Sequence, residues 1–157
     1  DDDIDNDDLY VDQNGDGIEG AIVQDIEGGI TRRVAFVVPP GITWSLPLYE
    51  LALQTATAVR GAARITLVTP EPSPLAAFGE RASAAVAAVL AERGVEVRAA
   101  TCAWEVEGDR LLTEAGELAV DAAVALPRLE GPRLPGLPSD PLGFVRGWMP
   151  PPHSRQG

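Results

Sequence analysis

"VVPPGITWSLPLYELALQTA", residues 37–56, runs from an apolar stretch through a bend holding Pro39, Pro40 and Gly41 into a helical pattern. The preceding "RVAFVV" (33–38) is a short continuous apolar run, the pattern of a parallel strand buried on both faces. Beyond the bend, Leu48, Leu51, Ala52 and Thr55 or Ala56 recur at three- and four-residue spacing, so 45–60 reads as a helix lying on a sheet. Pro47 suits its first turn, where no amide donor is lost. A strand that turns directly into a helix is where a dinucleotide-binding fold keeps its phosphate-binding glycines.

Outward from this unit the alternation continues. "ARITLVTP" (63–70) reads as a second buried strand, "GERASAAVAAVLAERG" (79–94) as an Ala-rich helix stopped by Gly94, and "VEVRAAT" (95–101) as a third strand. Strand-helix-strand-helix-strand is the signature of a right-handed parallel α/β unit. "AWEVEGDRLLTEAGEL" then reads as short antiparallel strands turning at Gly108-Asp109 and Ala115-Gly116, and "VDAAVALP" (120–127) as a further apolar strand. The expected fold is a Rossmann-like α/β domain over 28–130, with a parallel sheet, flanking helices and a small antiparallel meander after the third strand. Residues 131–157 are Pro-rich and aperiodic, which predicts a linker or tail.

Charge is unevenly distributed. The net charge is −12, yet eleven of the 24 acidic residues lie within 1–27, where no basic residue occurs, and the remainder of the chain is near neutral. All 12 basic residues are Arg, scattered apart from Arg32-Arg33, with none of the clustering that nucleic-acid binding requires. No apolar run reaches the roughly 18 residues of a membrane span. One cysteine, Cys102, permits neither an intrachain disulfide nor a CxxC pair, and its setting predicts a small buried strand residue. His153 has no acidic neighbour in sequence with which to build a triad.

The run "RRVAFVVPPGITWSLPLYELALQTA…ITLVTPEPSPLAAFG…LAERGVEV", followed by "DAAVALPRLEGPRLPGLPSDPLGFV", resembles the nucleotide-binding domain of flavin-dependent pyridine nucleotide-disulfide oxidoreductases, in the branch containing sulfide:quinone reductases and type II NADH dehydrogenases. The resemblance covers about residues 25–145. It implies a parent enzyme with FAD in a separate domain, a partner that is either an FAD-binding domain in trans or a second copy of this chain in a homo-oligomer, and a bacterial, cytoplasmic setting. It implies no catalytic residue here.

Family members that use NAD(P)H carry G-x-G-x-x-G-x-E between the first strand and helix. With Glu50 in the acidic place, the three glycine positions fall on Thr43, Ser45 and Leu48. Pro39 and Pro40 remove two backbone amides, leaving Gly41 as the bend's one glycine, and the helix N-terminus as a weak anion site. Trp44 can stack on a bound ring or cover the sheet edge. Glu71, just beyond the second strand, can reach an adenine ribose or stand as a solvated loop carboxylate. Candidate cofactor contacts are therefore Gly41, Thr43, Trp44, Ser45, Glu50 and Glu71, with NAD(H) binding expected to be weak or absent.

In the acidic region 1–27, "DIDNDDLYV" and "DQNGDGIEG" align at a nine-residue offset, matching Asp3, Asp5 and Asp7 with Asp12, Asn14 and Asp16. Oxygen side chains at alternate positions can wrap a hard cation. The spacing resembles thrombospondin type 3 calcium repeats, although Val11 and Gly20 stand where further acids belong. Weak calcium binding and a solvated acidic tail are the two readings of this segment.

Overall fold

The computed structural model describes residues 17–41, 44–126 and 135–141; the side chains of 18 and 19 are outside that description. The chain divides into a unit ending at Leu126 and a second one from Pro127 onward. In the second, the described residues 135–141 form a turn, with Gly136 at φ +84°.

In the first unit, helix α1 (Gly17–Glu27) leads into strand β1 (Arg33–Val37), then α2 (Leu46–Val59), β2 (Arg64–Val68), a 3₁₀ turn (Ala76–Phe78), α3 (Glu80–Glu92) and β3 (Val95–Arg98). Strands β4 (Ala103–Glu107), β5 (Arg110–Thr113), β6 (Gly116–Ala119) and β7 (Ala122–Ala125) follow. β1, β2, β3 and β7 form a parallel sheet in the order β3-β2-β1-β7, and β4-β5-β6 form a separate antiparallel one. The expected Rossmann-like α/β architecture, with its meander after the third strand, is the observed one.

The central strand explains the layering. Along β1, side chains alternate between the two faces of the sheet. Val34, Phe36 and Val38 pack with Leu48, Tyr49 and Ala52 of α2, Leu90 of α3 and Ile22 and Ile26 of α1. Ala35 and Val37 instead join Val68, Ala103, Leu111 and Val120 beneath the meander. Each large apolar side chain buried this way contributes roughly 1.5–3 kcal/mol. α3 ends as the sequence predicts, with Gly94 at φ +72°. A side chain with a Cβ would be strained there.

Residues 17–27, grouped by composition with the acidic N-terminus, form a helix, and its reason is spacing. Ile22 and Ile26, four residues apart, are 0% and 4% exposed and belong to the main core. One apolar stripe is enough to dock a helix whose remaining positions are solvated.

At the opposite end of the sheet from the bend, Asp121 fastens β7 to β1. One carboxylate oxygen, Oδ2, accepts the Arg32 and Arg33 amides, both at 2.9 Å, and Oδ1 accepts the Arg33 guanidinium at 2.6 Å. The hydrogen bond from Arg33 is the main reason that the Asp121 carboxyl is lowered to about 2. A carboxyl held below its unfolded value stabilises the fold above the unfolded pKa and loses that contribution as pH falls through the folded one. Asp121→Asn is therefore expected to flatten the loss of stability between about pH 4 and 2 and to cost about 1–2 kcal/mol at neutral pH, measured by urea unfolding.

A second expectation concerns the core of α2. The Thr55 hydroxyl is fully buried and has no hydrogen-bond partner in the structure. Thr55→Val should raise stability by about 1 kcal/mol in the same assay.

Candidate functional site

Two loops meet at the carboxyl ends of the parallel strands, where open α/β sheets bind ligands. The first joins β1 to α2 and the second joins β2 to α3. At the root of the first, the Val38 amide donates to the Val68 carbonyl at 2.8 Å, and Gly41 adopts φ +79°, a left-handed conformation that suits glycine. Thr43 lies outside the described residues.

Ser45 precedes α2 and is 8% exposed, but its side chain makes no capping hydrogen bond. Leu48, at the third glycine position, is 1% exposed and packs into the main core. Pro47 has no N–H, and the Leu48 N–H donates to the Ser45 carbonyl at 3.0 Å. Two of the first three amides of the helix are thus unavailable to a phosphate, a larger loss than the two bend prolines alone imply. Glu50 is exposed and lies beyond the first turn, which contains no acidic residue. A carboxylate placed there gains little from the helix dipole, which acts within the first turn. These residues do not fit a dinucleotide pyrophosphate.

The second loop corrects the reading of Glu71 as a solvated carboxylate. Its Oε1 accepts the Tyr49 hydroxyl at 2.8 Å and the Thr69 hydroxyl at 2.9 Å. Its own amide donates back to Thr69 Oγ1 at 3.2 Å, and its carbonyl accepts the Ala100 amide at 2.7 Å. The Tyr49 ring is 1% exposed, and its oxygen also takes a long hydrogen bond, 3.4 Å, from the Leu75 amide. Ser83 Oγ donates to Ser73 Oγ at 2.8 Å, fastening the loop to α3. Burial, reinforced by the hydrogen bond to Glu71, pushes the Tyr49 hydroxyl well above its ordinary value.

Trp44 meets an aromatic residue of the second loop. It is 58% exposed and packs at 58° against Phe78, itself 51% exposed, with ring centroids 5.8 Å apart. The contact joins the two loops across the mouth between β1 and β2. Tyr49, Thr69 and Phe78 were not among the sequence candidates. Tyr49 occupies a core position in the helical stripe, and nothing local shows that its hydroxyl reaches a residue 22 positions away.

Cys102 is half-buried in the link between β3 and β4, not inside a strand, and its amide donates to Glu114 Oε1 at 3.1 Å. The six candidate calcium ligands, Asp3, Asp5, Asp7, Asp12, Asn14 and Asp16, lie outside the described residues, as does His153. Among the described residues no group of three or more His, Cys, Asp or Glu side chains could hold a metal. No helix among them is long and apolar enough to cross a membrane.

No protein-family model and no curated protein matches the sequence. Solved structures do match in fold. The sulfide:quinone oxidoreductase from Aquifex aeolicus superposes with a TM-score of 0.63 at 23% identity, over 72% of this chain and 29% of that one. The NAD-dependent persulfide reductase from A. fulgidus gives 0.53 at 20%, over 76% and 21%. The HOCl-induced flavoprotein disulfide reductase RclA from Escherichia coli gives 0.56 at 15%, over 74% and 27%. The chain thus matches less than a third of each of these longer proteins, and what it shares with them is the Rossmann-like fold.

The Tyr49 environment has a measurable signature. A hydroxyl whose folded pKa is raised contributes stability fully below its unfolded value, near pH 10, and loses it as pH rises because the unfolded chain ionises first. The sequence contains no lysine, so no side-chain amine titrates across this limb. Unfolding free energy should fall above pH 10 by up to about 1.4 kcal/mol per pH unit from this residue. Tyr49→Phe should remove that slope, measured by urea unfolding between pH 8 and 11.5.

Proposed function

We propose that this chain is a nucleotide-binding-type domain of a flavin-dependent NAD(P)- or quinone-linked oxidoreductase in which the dinucleotide site has been filled by the protein's own side chains. The observation that carries this reading is Leu48, buried in the core where the family pattern places its third glycine. That glycine gives close helix–strand packing and the second lets the pyrophosphate approach the backbone. Ser45 and Leu48 do neither, and the amides of the first helical turn are partly absent or already bonded.

The family assignment is supported by the likeness in fold to a sulfide:quinone oxidoreductase, an NAD-dependent persulfide reductase and a flavoprotein disulfide reductase. In this reading FAD belongs to a different domain, in the same polypeptide or in a partner, and the domain described here supports it. In this reading the domain is not active alone. A second reading, a ligand-free α/β module, draws on the same filled turn and differs in requiring no flavin partner.

The test is a titration with NADH that follows tryptophan fluorescence. No saturable quenching below millimolar NADH is expected. Leu48→Gly should cost about 3–5 kcal/mol of stability without restoring tight binding, because the other glycines and the amides lost at Pro39, Pro40 and Pro47 are still missing. Saturable quenching at micromolar NADH, in the native chain or this variant, would overturn the proposal.

A further inference from the structure

We infer that Tyr49 and Thr69 act as specificity-determining residues that fill one oxygen of Glu71, so that the carboxylate beyond β2 cannot grip a ribose diol. The inference rests on the reading of this loop as the remnant of a nucleotide site. It goes further by saying which chemical feature of a nucleotide has become unreadable.

A carboxylate recognises a vicinal diol most strongly when each oxygen accepts one hydroxyl. Glu71 Oε1 already accepts two donors from the protein, at 2.8 Å from Tyr49 and 2.9 Å from Thr69. Buried donors such as the Tyr49 and Thr69 hydroxyls hold their acceptor because releasing it leaves an unsatisfied group behind. Tyr49 is 1% exposed and Thr69 is 0% exposed, so neither hydroxyl can turn instead to water without opening the core.

The main chain that carries the carboxylate is held as well. The Glu71 amide donates to Thr69 Oγ1 and its carbonyl accepts the Ala100 amide, holding the backbone on both sides of the side chain. Ser73 and Leu75, farther along the loop, are tied to Ser83 and Tyr49. What remains for a ligand is Oε2 alone, so the grip in which each carboxylate oxygen takes one hydroxyl of the diol is lost. The loop therefore does not read the 2′ and 3′ hydroxyls of a nucleotide.

The test compares 5′-AMP with 2′,3′-dideoxy-AMP at millimolar concentrations by ligand-observed NMR, using the full chain and its Tyr49→Phe and Thr69→Val variants. Circular dichroism establishes which variants are folded, and either folded variant carries the test. The native chain is expected to bind both nucleotides within twofold of each other. The variants should favour 5′-AMP by roughly fivefold, the effect of about one net hydrogen bond. A native chain that already favours 5′-AMP fivefold, or folded variants that bind both nucleotides equally, would overturn the inference while leaving the nucleotide-site reading intact. Saturable binding of neither nucleotide by any folded variant would also overturn the inference, because the freed carboxylate then grips no diol, while agreeing with the filled-site reading, which micromolar NADH binding alone would overturn.

Discussion

Burial of β1 on both faces and along both edges is the constraint to which the other elements answer. Its two neighbours, β2 and β7, are parallel to it, so they satisfy its backbone groups but cannot reach it by tight turns. Long crossovers follow, and they supply the covering layers. Valine and phenylalanine on one face call for the bulk of α1, α2 and α3. The smaller Ala35, Val37 and Val68 on the other face let the meander come close. The continuous apolar run at 33–38 is thus the sequence form of a strand with no solvated side.

The same packing decides what the bend after β1 can do. A helix that starts immediately above a buried strand either keeps a glycine at their contact or places a side chain there. In this chain Leu48 occupies the contact, with Tyr49 beside it reaching over to the next loop. Apolar volume and an internal hydrogen-bond network therefore occupy the region that a pyrophosphate and a ribose would share in a nucleotide enzyme. Under the proposed reading, that arrangement exchanges binding capacity for cohesion between α2 and the β2–α3 loop.

Most of the fold is legible in the sequence because its strands and two of its helices announce themselves by period. The 33–38 and 63–70 runs, the stripe from Leu48 to Ala56, and the glycine-punctuated meander each fall within a residue or two of the observed elements. α1 is hidden because acidic composition dominates its surroundings, while the two isoleucines that dock it are a weak periodic signal. The missing glycines of the site are equally legible, since they are identities at fixed offsets. The engagement of Glu71 is not, because it depends on a tyrosine two elements earlier in the chain. Nor is the pairing of Trp44 with Phe78, which becomes visible only once two loops share one edge of the sheet.

The clasp between Asp121 and Arg33 joins residues 88 positions apart, and this separation orders assembly in time. Closing a loop of that length carries an entropic cost that grows with the logarithm of its span, and non-local parallel pairings are slow to form. β1, β2 and β3 are linked by local crossovers, and β4, β5 and β6 by adjacent hairpins, so both sheets can form without β7. The hairpins draw the ends of the intervening chain together and shorten the loop left to close. Docking of β7 then completes the strand order, and the carboxylate of Asp121 locks it by taking two amides at the start of β1. The meander is therefore both a cover for one face of the sheet and a folded spacer that brings its last strand home.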